Sequence, residues 1–172
     1  MPNNPLRTDP ESFLLEPNGW VPNNPTLPVL IYRDVVPTGN PEAIEARLRG
    51  HGWRPDWRDG VFPYHHYHST AHEALACTNG SAELMLGGED GRTTTIQAGD
   101  LVVLPAGTGH CRIEASAGFL LVGAYPDGQD WDVRRDAADE QTLQRIADVP
   151  LPTGDPVSGD AGPLMELWSP SR

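Results

Sequence analysis

The sequence predicts an all-β protein, built as an antiparallel sandwich or barrel in a single domain. From residue 61 to residue 125, short apolar runs are separated by breaks such as NG, GEDG and AGTG. Short strands joined by glycine-containing turns are typical of sandwiches and barrels. The 172 residues include 18 glycines and 18 prolines, which favour frequent turns over long helices. A chain of this length can bury a substantial hydrophobic core.

Residues 1–36 are predicted to form a proline-rich N-terminal arm followed by a first strand. The arm carries four large apolar side chains, Phe13, Leu14, Leu15 and Trp20. Because a disordered tail rarely contains so many, we expect residues 10–36 to pack on the body or on a partner subunit. Addition of a strand to an exposed sheet edge is the expected mode. The stretch LPVLIYRDVV, residues 27–36, is rich in β-branched residues and predicts the first strand.

Two peripheral helices are predicted beside the strands. Residues 40–53 offer Asn40 as an N-cap and Pro41 at the first helical position, and a glycine at 50 or 52 ends the helix. Residues 137–149 predict the second helix. The core is therefore expected to span residues 37–136. Residues 137–172 are expected to form a C-terminal helix and a docking tail within the same single domain.

Seven apolar runs predict the strands of the core. In chain order they are VFPYHHYH, EALACT, SAELMLGG, RTTTIQ, DLVVLP, HCRIEA and GFLLVGAY. Each is short and bounded by glycine-containing or polar turn residues, as expected for antiparallel strands.

Composition excludes several function classes. The net charge is −12, and all twelve basic residues are arginine because the chain has no lysine. A lysine Schiff base and a P-loop lysine are therefore impossible. An acidic chain without a basic run is a poor partner for nucleic acid or an anionic membrane. The two cysteines lack metal-finger spacing, and no signal peptide or membrane span is evident, so we expect a cytoplasmic protein.

Histidines are concentrated in one stretch of the chain. Residues 62–75, FPYHHYHSTAHEAL, hold four of the six histidines. Side chains alternate on a strand, so His66 and His68 share a face with Cα atoms about 6.5–7 Å apart. Imidazoles at this spacing can bind one metal ion, and Glu73 on the next strand can return beside them. A fourth ligand would come from elsewhere, either His51 or His110.

The spacing of these residues resembles the two sequence motifs of the cupin superfamily. Gly60, His66, His68, Glu73 and Gly80 follow the spacing of the first motif. The second motif matches at the positions Gly99, Pro105, Gly107 and His110. The chain departs from that motif at Glu114, where asparagine is usual. The stretch YHHYHSTAHE and the N-terminal arm further resemble the YjlB-like branch of the superfamily.

The resemblance implies a jelly-roll barrel, also called a double-stranded β-helix, with one divalent transition metal inside. Its ligands would be His66, His68, Glu73 and His110, and the metal would be iron, manganese, nickel or zinc. Strand alternation turns His65 and His72 away from the site. Because the turn before His72 can break that alternation, His72 could instead replace or support Glu73.

Alternation from the ligands also predicts a pocket lined by Tyr64, Cys77, Arg112 and Glu114. Arg112 would anchor a substrate carboxylate through its planar guanidinium. Alternatively, the strand ends at the barrel mouth, and Arg112 and Glu114 are solvated or pair with each other. Cys77 would be a small buried hydrophobe or a pocket thiol.

Two function hypotheses follow from this site. The first is a metal-dependent enzyme, an oxygenase or an isomerase, acting on a small oxygen-rich or anionic molecule. The alternative is a non-catalytic cupin module that binds a small ligand. A metal that only staples the barrel is a third possibility, although a structural site is usually closed to outside ligands. We expect a homodimer in either case.

Overall fold

The computed structural model describes residues 9–169. Residues 1–8 of the predicted arm and residues 170–172 of the predicted tail lie outside the described part of the chain.

Two antiparallel sheets dominate the structure, as predicted. The nine strands of residues 9–169 are β1 (Glu11–Phe13), β2 (Val29–Tyr32), β3 (Trp53–Asp59), β4 (Glu73–Asn79), β5 (Ser81–Leu86), β6 (Arg92–Gln97), β7 (Leu101–Leu104), β8 (His110–Ala115) and β9 (Leu120–Pro126). The larger sheet has the order β1-β2-β7-β4-β9-β3, and the smaller has the order β6-β5-β8. Strands adjacent in sequence are therefore often in different sheets, and the chain winds back and forth between the two.

The main core lies between the two sheets. Apolar side chains from β2, β4, β7 and β9 meet Ala82, Leu84, Leu86 and Ile96 of the smaller sheet. A second apolar layer covers the outer face of the larger sheet and includes the fully buried Trp53. Because both faces of β4 are covered, every residue of that strand except Asn79 is buried.

Helices cover the outer face of the larger sheet and one end of the barrel. Helix α1 (Pro41–Gly50) begins as predicted, with the Asn40 side chain accepting a hydrogen bond from Ala43 N. Helix α2 (Glu140–Asp148) is capped by Asp139 in the same way. A third helix, α3 (Pro163–Leu167), was not predicted and raises the number of helices in residues 9–169 from two to three. It is followed by the buried Trp168, which anchors the predicted docking tail.

Two strand predictions near the histidines were wrong. The run VFPYHHYH is not a strand, because it forms only isolated bridges, one to His110 and one to Arg134. Conversely, β3 was missed, since its sequence WRPDWRD contains a proline and little apolar alternation. β3 tolerates Pro55 because it is an edge strand, and its register with β9 shifts at that point.

The N-terminal arm packs on the barrel of its own chain. β1 pairs with β2 and extends the edge of the larger sheet. Phe13 and Leu15 pack on the core between the sheets, whereas Leu14 is 56% exposed and Trp20 is 37% exposed. The expected strand addition is therefore present, but only part of the apolar surface of the arm is buried.

No helix within residues 9–169 combines the length and apolar character needed to cross a membrane.

Candidate metal centre

Four buried side chains converge at one end of the barrel. Glu73 is the first residue of β4 and His110 is the first residue of β8, so both side chains are placed by the sheets. His66 and His68 lie on residues 60–72, which connect β3 to β4 and are called the ligand segment below. Paired backbone hydrogen bonds of 2.9 and 3.2 Å join His66 to His110. We call His66, His68, Glu73 and His110 the His–Glu cluster.

Backbone carbonyls fix the orientation of all three imidazole rings. The Nδ1–H of His66 donates to Tyr64 O at 3.0 Å, and that of His110 donates to Thr108 O at 3.0 Å. The Nδ1–H of His68 donates to the carbonyl of Asp132. Because a carbonyl only accepts, a neutral ring then carries its lone pair on Nε2. Such outer hydrogen bonds are the usual way in which metal-binding histidines are oriented.

The remaining donor atoms of the cluster fit one metal ion. One ring nitrogen from each of the three histidines lies within 4.8 Å of the others. The Nε2 atoms of His68 and His110 are each 3.2 Å from a carboxylate oxygen of Glu73. Adjacent ligands of an octahedral ion with bonds of about 2.1 Å are about 3.0 Å apart, so these separations suit ligands of one ion. The buried triad can therefore hold a metal ion.

Tyr125 on β9 orients Glu73 from the other side. Its hydroxyl donates to Glu73 Oε2 at 2.6 Å and accepts from Trp57 Nε1 at 2.8 Å. Glu73 Oε1 is buried and accepts no well-aligned hydrogen bond within residues 9–169, although His110 Nε2 lies 3.2 Å away. A buried carboxylate oxygen without a hydrogen bond is costly, and a cation bound between it and the imidazoles would satisfy it.

Burial and mutual charges shift the pKa values of the cluster. Burial and the neighbouring His110 lower the pKa of His66 to about 3. Although burial opposes the charged form of His68, the negative charge of Glu73 raises the pKa of His68 above its usual value. Burial likewise opposes ionisation of Glu73, yet His68 and His110 hold its pKa well below the usual range. The cluster thus favours an ionised Glu73 and a neutral His66, as metal binding requires, whereas His68 would give up a proton that it holds more tightly than usual when a metal binds.

The loop after β9 holds the ligand segment in place. We call residues 127–136 the clamp loop. The side chain of Asp132 accepts hydrogen bonds from Ser69 N at 2.6 Å and from the Ser69 hydroxyl, while its carbonyl binds His68. Backbone hydrogen bonds of 3.0 and 2.8 Å join Tyr67 to Arg134 on the same loop. These contacts replace the strand pairing that the ligand segment lacks.

The N-terminal arm supports the turn before His110. Asn23 accepts a hydrogen bond from Gly109 N at 3.0 Å. Gly107 has a φ of +92°, and a Cβ there would lie 2.7 Å from Asn23 O. A glycine is therefore required at 107 both for its backbone conformation and for its contact with the arm.

A cavity of about 340 Å³ opens above the cluster. Its lining consists of Asp56, Trp57, Asp59, Gly60, Val61, Phe62, Pro63, His66, His68, Glu73, Leu75, His110, Arg112, Tyr125 and Trp131. The Trp57 indole lies over Gly123, where a Cβ would come within 2.1 Å of the ring. The absence of a side chain at 123 thus makes room for one wall of the cavity.

Only Arg112 of the four predicted pocket residues lines this cavity. Tyr64 stacks on Phe62 outside the lining, because the ligand segment is not a strand and alternation does not apply to it. Cys77 faces the barrel interior as expected but packs in the apolar core below Leu75. Glu114 is exposed near the end of β8 and lines an outer surface cleft. Strand alternation predicted the face of β4 on which Cys77 lies, but it did not predict that the side chain would be in the core, too far from the cavity to line it.

The other three histidines lie away from the cluster. The His72 ring packs against Trp168, and its Nδ1 accepts a hydrogen bond from Ala106 N at 2.9 Å. Burial lowers the pKa of His72 to about 4. The ring of His72 therefore does not take the place of Glu73 in the structure. The ring of His51 bonds to Pro156 O, and that of His65 is partly buried outside the cluster.

Three residues of the site were missed from the sequence: Trp57, Tyr125 and Trp131. Tyr125 could have been found, because it shares the inward face of β9 with Leu121. Trp57 lies on the unpredicted β3, and Trp131 lies on a loop where no periodic pattern exists.

Comparisons with known proteins agree with this architecture. A family model described as "Cupin domain" matches residues 58–119. "Uncharacterized protein YjlB" of Bacillus subtilis (strain 168) is 36% identical over 166 residues, which covers 95% of this chain and 99% of the relative.

Two solved structures are also similar to this chain. A DUF861 family protein from Thermotoga maritima has a TM-score of 0.35 and 23% identity, with 55% of this chain and 96% of that chain covered. A mutant of Bacillus subtilis oxalate decarboxylase has a TM-score of 0.30 and 19% identity, with 67% and 27% covered. With a mainly β, antiparallel fold and a YjlB relative that spans nearly its whole length, the chain belongs to the cupin superfamily, in its YjlB-like branch.

Proposed function

We propose that this cupin is a metal-dependent enzyme, of the oxygenase or isomerase type, acting on a small anionic molecule. The observation that carries the proposal is the convergence of three oriented imidazoles and one carboxylate on the floor of an open cavity. His66, His68, His110 and Glu73 are the proposed ligands of one divalent transition metal, which is iron, manganese, nickel or zinc.

The cavity favours a reactive metal over a structural one. Structural sites are usually closed by protein ligands, whereas catalytic sites keep a position open to solvent or substrate. Here the ligand-bearing residues line a space of about 340 Å³, which is within the range of small-molecule sites. A metal that only stapled the barrel would not need such a space.

Each side chain of the site has a defined role in this proposal. A divalent metal held here would supply Lewis acidity or, in the case of iron, reactivity toward dioxygen. Tyr125 holds the Glu73 carboxylate in place, and the carbonyl of Asp132 holds the His68 ring. Arg112 would orient the anionic group of the substrate. The aromatic walls exclude water from the substrate and strengthen these electrostatic contacts.

A non-catalytic binding module is the second candidate, and one observation favours it. The Tyr125 hydroxyl and the indole N–H groups of Trp57 and Trp131 are all bonded to protein partners. Few groups are therefore free to transfer a proton.

Asp59 is the main carboxylate of the lining that could serve as a base in an isomerase, since one of its oxygens accepts only from Gly60 N. Asp59→Asn would abolish isomerase turnover and leave an oxygenase or a binding module largely intact.

Metal analysis tests the proposal directly. Protein purified without a chelating tag should contain about one transition metal per chain. His66→Ala and Glu73→Ala should lose it, whereas His65→Ala and His51→Ala, which alter histidines outside the cluster, should retain it. An unchanged metal content in all four variants would contradict the proposal. Oxygen consumption by the iron-loaded protein with candidate acids then distinguishes an oxygenase from a binding module.

We also propose that the protein is a cytoplasmic homodimer with a small molecule as its ligand. Exposed apolar side chains such as Leu14 and Phe62 support self-association. Light scattering at micromolar concentration would show twice the mass of one chain.

A further inference from the structure

The cavity walls are apolar except at two places. Six of the lining side chains are hydrocarbon or indole in character: Trp57, Val61, Phe62, Pro63, Leu75 and Trp131. The Tyr125 and Trp131 rings are nearly parallel, with an interplanar angle of 15° and centroids 5.9 Å apart. The two polar places are the His–Glu cluster on the floor and the charged groups near Gly60.

The polar atoms of the aromatic walls are already bonded to the protein. Trp57 Nε1 donates to the Tyr125 hydroxyl, which in turn donates to Glu73. Trp131 Nε1 donates to Asp56 Oδ2 at 2.7 Å. A ligand therefore meets ring faces rather than hydrogen-bonding groups. A polyhydroxylated molecule would leave its hydroxyls without partners here, whereas an apolar ring would be well accommodated.

Arg112 is the one arginine of the lining, and its guanidinium has no ion pair or hydrogen bond with residues 9–169. Its backbone N–H donates to Phe62 O at 3.0 Å, which joins the start of β8 to the ligand segment beside the cavity. The guanidinium lies beside Gly60, with Nη1 4.0 Å from the position that a Cβ at 60 would occupy. An unpaired, half-buried guanidinium is suited to bind a carboxylate.

The acidic residues of the lining do not occupy Arg112 in place of a ligand. Asp56 is bonded to Arg54 Nη1 at 2.7 Å as well as to Trp131, and the Trp131 hydrogen bond lowers its pKa. One oxygen of Asp59 accepts from Gly60 N at 2.8 Å, and Asp59 makes no ion pair with Arg112 in the described part of the chain. Glu73 faces the histidines rather than the mouth.

We infer that the ligand of this cavity is a small carboxylic acid with an apolar, ring-sized body, rather than a polyhydroxylated acid or a dicarboxylate without a hydrocarbon body. The inference rests on the proposed function in one respect, namely that the bound ligand lies next to the proposed metal. Arg112 binds the carboxylate, while Trp57, Phe62 and Trp131 surround the ring.

Calorimetry with three probes tests this inference on metal-free and manganese-loaded protein. Benzoate carries the carboxylate and the ring, benzamide carries the ring without the charge, and gluconate carries the carboxylate without the ring. Benzoate should bind at least about tenfold more tightly than either comparison compound, because each lacks one of the two matched features. Gluconate binding as tightly as benzoate, or no binding of any probe, would overturn the inference.

Two pairs of variants locate the binding. Arg112→Met should weaken benzoate by about tenfold and leave benzamide unchanged, since only the charge-assisted contact is lost. Arg92→Met, whose guanidinium lies over Phe13 outside the cavity, is the control. Trp131→Ala should weaken both ring compounds, whereas Trp20→Ala, at the same 37% exposure but outside the cavity, should not. Phe62→Ala gives the same test at a position outside the clamp loop.

The experiment separates failure of this inference from failure of the proposed function. Selectivity for benzoate in the metal-free protein tests the walls and Arg112 alone. If none of manganese, iron(II), nickel and zinc binds but the selectivity is present, the inference holds and the proposed function fails. If manganese binds and the selectivity is absent or reversed, only the inference is overturned. Benzoate binding that is unaffected by Arg112→Met would also overturn it.

Discussion

The His–Glu cluster draws its side chains from two different kinds of backbone. Glu73 and His110 begin β4 and β8, and β4 is paired on both sides along most of its length. His66 and His68 lie on the ligand segment, which has only isolated bridges and is held by the clamp loop. One half of the site is thus positioned by continuous sheet hydrogen bonds, and the other by isolated backbone bridges and a few side-chain contacts. The comparison shows that the positions of His66 and His68 depend on a few individual residues, whereas those of Glu73 and His110 depend on the sheets.

Loss of a ligand from either half is expected to have the largest effect. His110→Ala and His66→Ala should each weaken zinc or manganese binding by about 100- to 1000-fold, a quarter share of the free energy that a four-ligand site supplies. Competition titration with a chromophoric chelator measures the affinity, and His65→Ala is the control. A wild-type affinity in His66→Ala would show that the ligand segment takes no part in binding.

Asp132→Ala should have the next largest effect, because it removes the contact between the clamp loop and Ser69. We expect metal affinity to fall by about 10- to 100-fold, as for other residues that orient ligands. Asp130→Ala is the matched control, since that side chain is on the same loop and fully exposed. Equal affinities of the two variants would mean that the ligand segment is positioned without Asp132.

Tyr125→Phe tests the strand-borne half in the same assay. The variant removes the hydrogen bond to Glu73 but leaves β4 paired with β7 and β9. Because the sheet still places the carboxylate, we expect a loss of about tenfold or less, near the value of one charged hydrogen bond. A loss greater than that of Asp132→Ala would reverse the comparison between the two halves.

The smallest expected effect is a pH dependence of stability that comes from the buried Cys77 of β4. Burial raises the pKa of Cys77 from 9.0 to about 11, so the folded state disfavours the thiolate. The corresponding stability is fully present below pH 9 and is lost as the pH rises from 9 through 11. Between pH 8 and pH 10 the wild type should lose about 1 kcal/mol more unfolding free energy than Cys77→Ala. Urea titrations measure this difference, and identical pH dependence would show that the thiol is accessible to water.

The local sequence was sufficient to predict those features that depend on interactions between residues close together in the chain. The start of α1 was predicted because Asn40 and Pro41 act within one turn of helix. Most core strands were predicted because alternation and turn residues act over a few positions. The spacing of the four proposed ligands was evident for the same reason, and the structure brings their side chains together.

Tertiary structure decided the features that depend on residues far apart in the chain. β3 exists because it pairs with β9, although Pro55 interrupts its local pattern. Tyr64 was expected in the pocket, but alternation holds only where a ladder enforces the pleat, and the ligand segment has none. The cavity walls likewise require Trp57, Tyr125 and Trp131 to meet from a strand edge, a central strand and a loop.

The sequence by itself therefore determined the fold class, the spacing of the proposed metal ligands and the absence of lysine chemistry. Each of these depends on residue type or on short-range spacing. The clamp of Asp132 on Ser69 and the unpaired Arg112 at the cavity mouth were decided only in three dimensions. The physical reason is that both features depend on how the whole chain packs. Ser69 and Asp132 are 63 positions apart in sequence, and Arg112 lacks a partner among residues 9–169 only because the fold places none beside it.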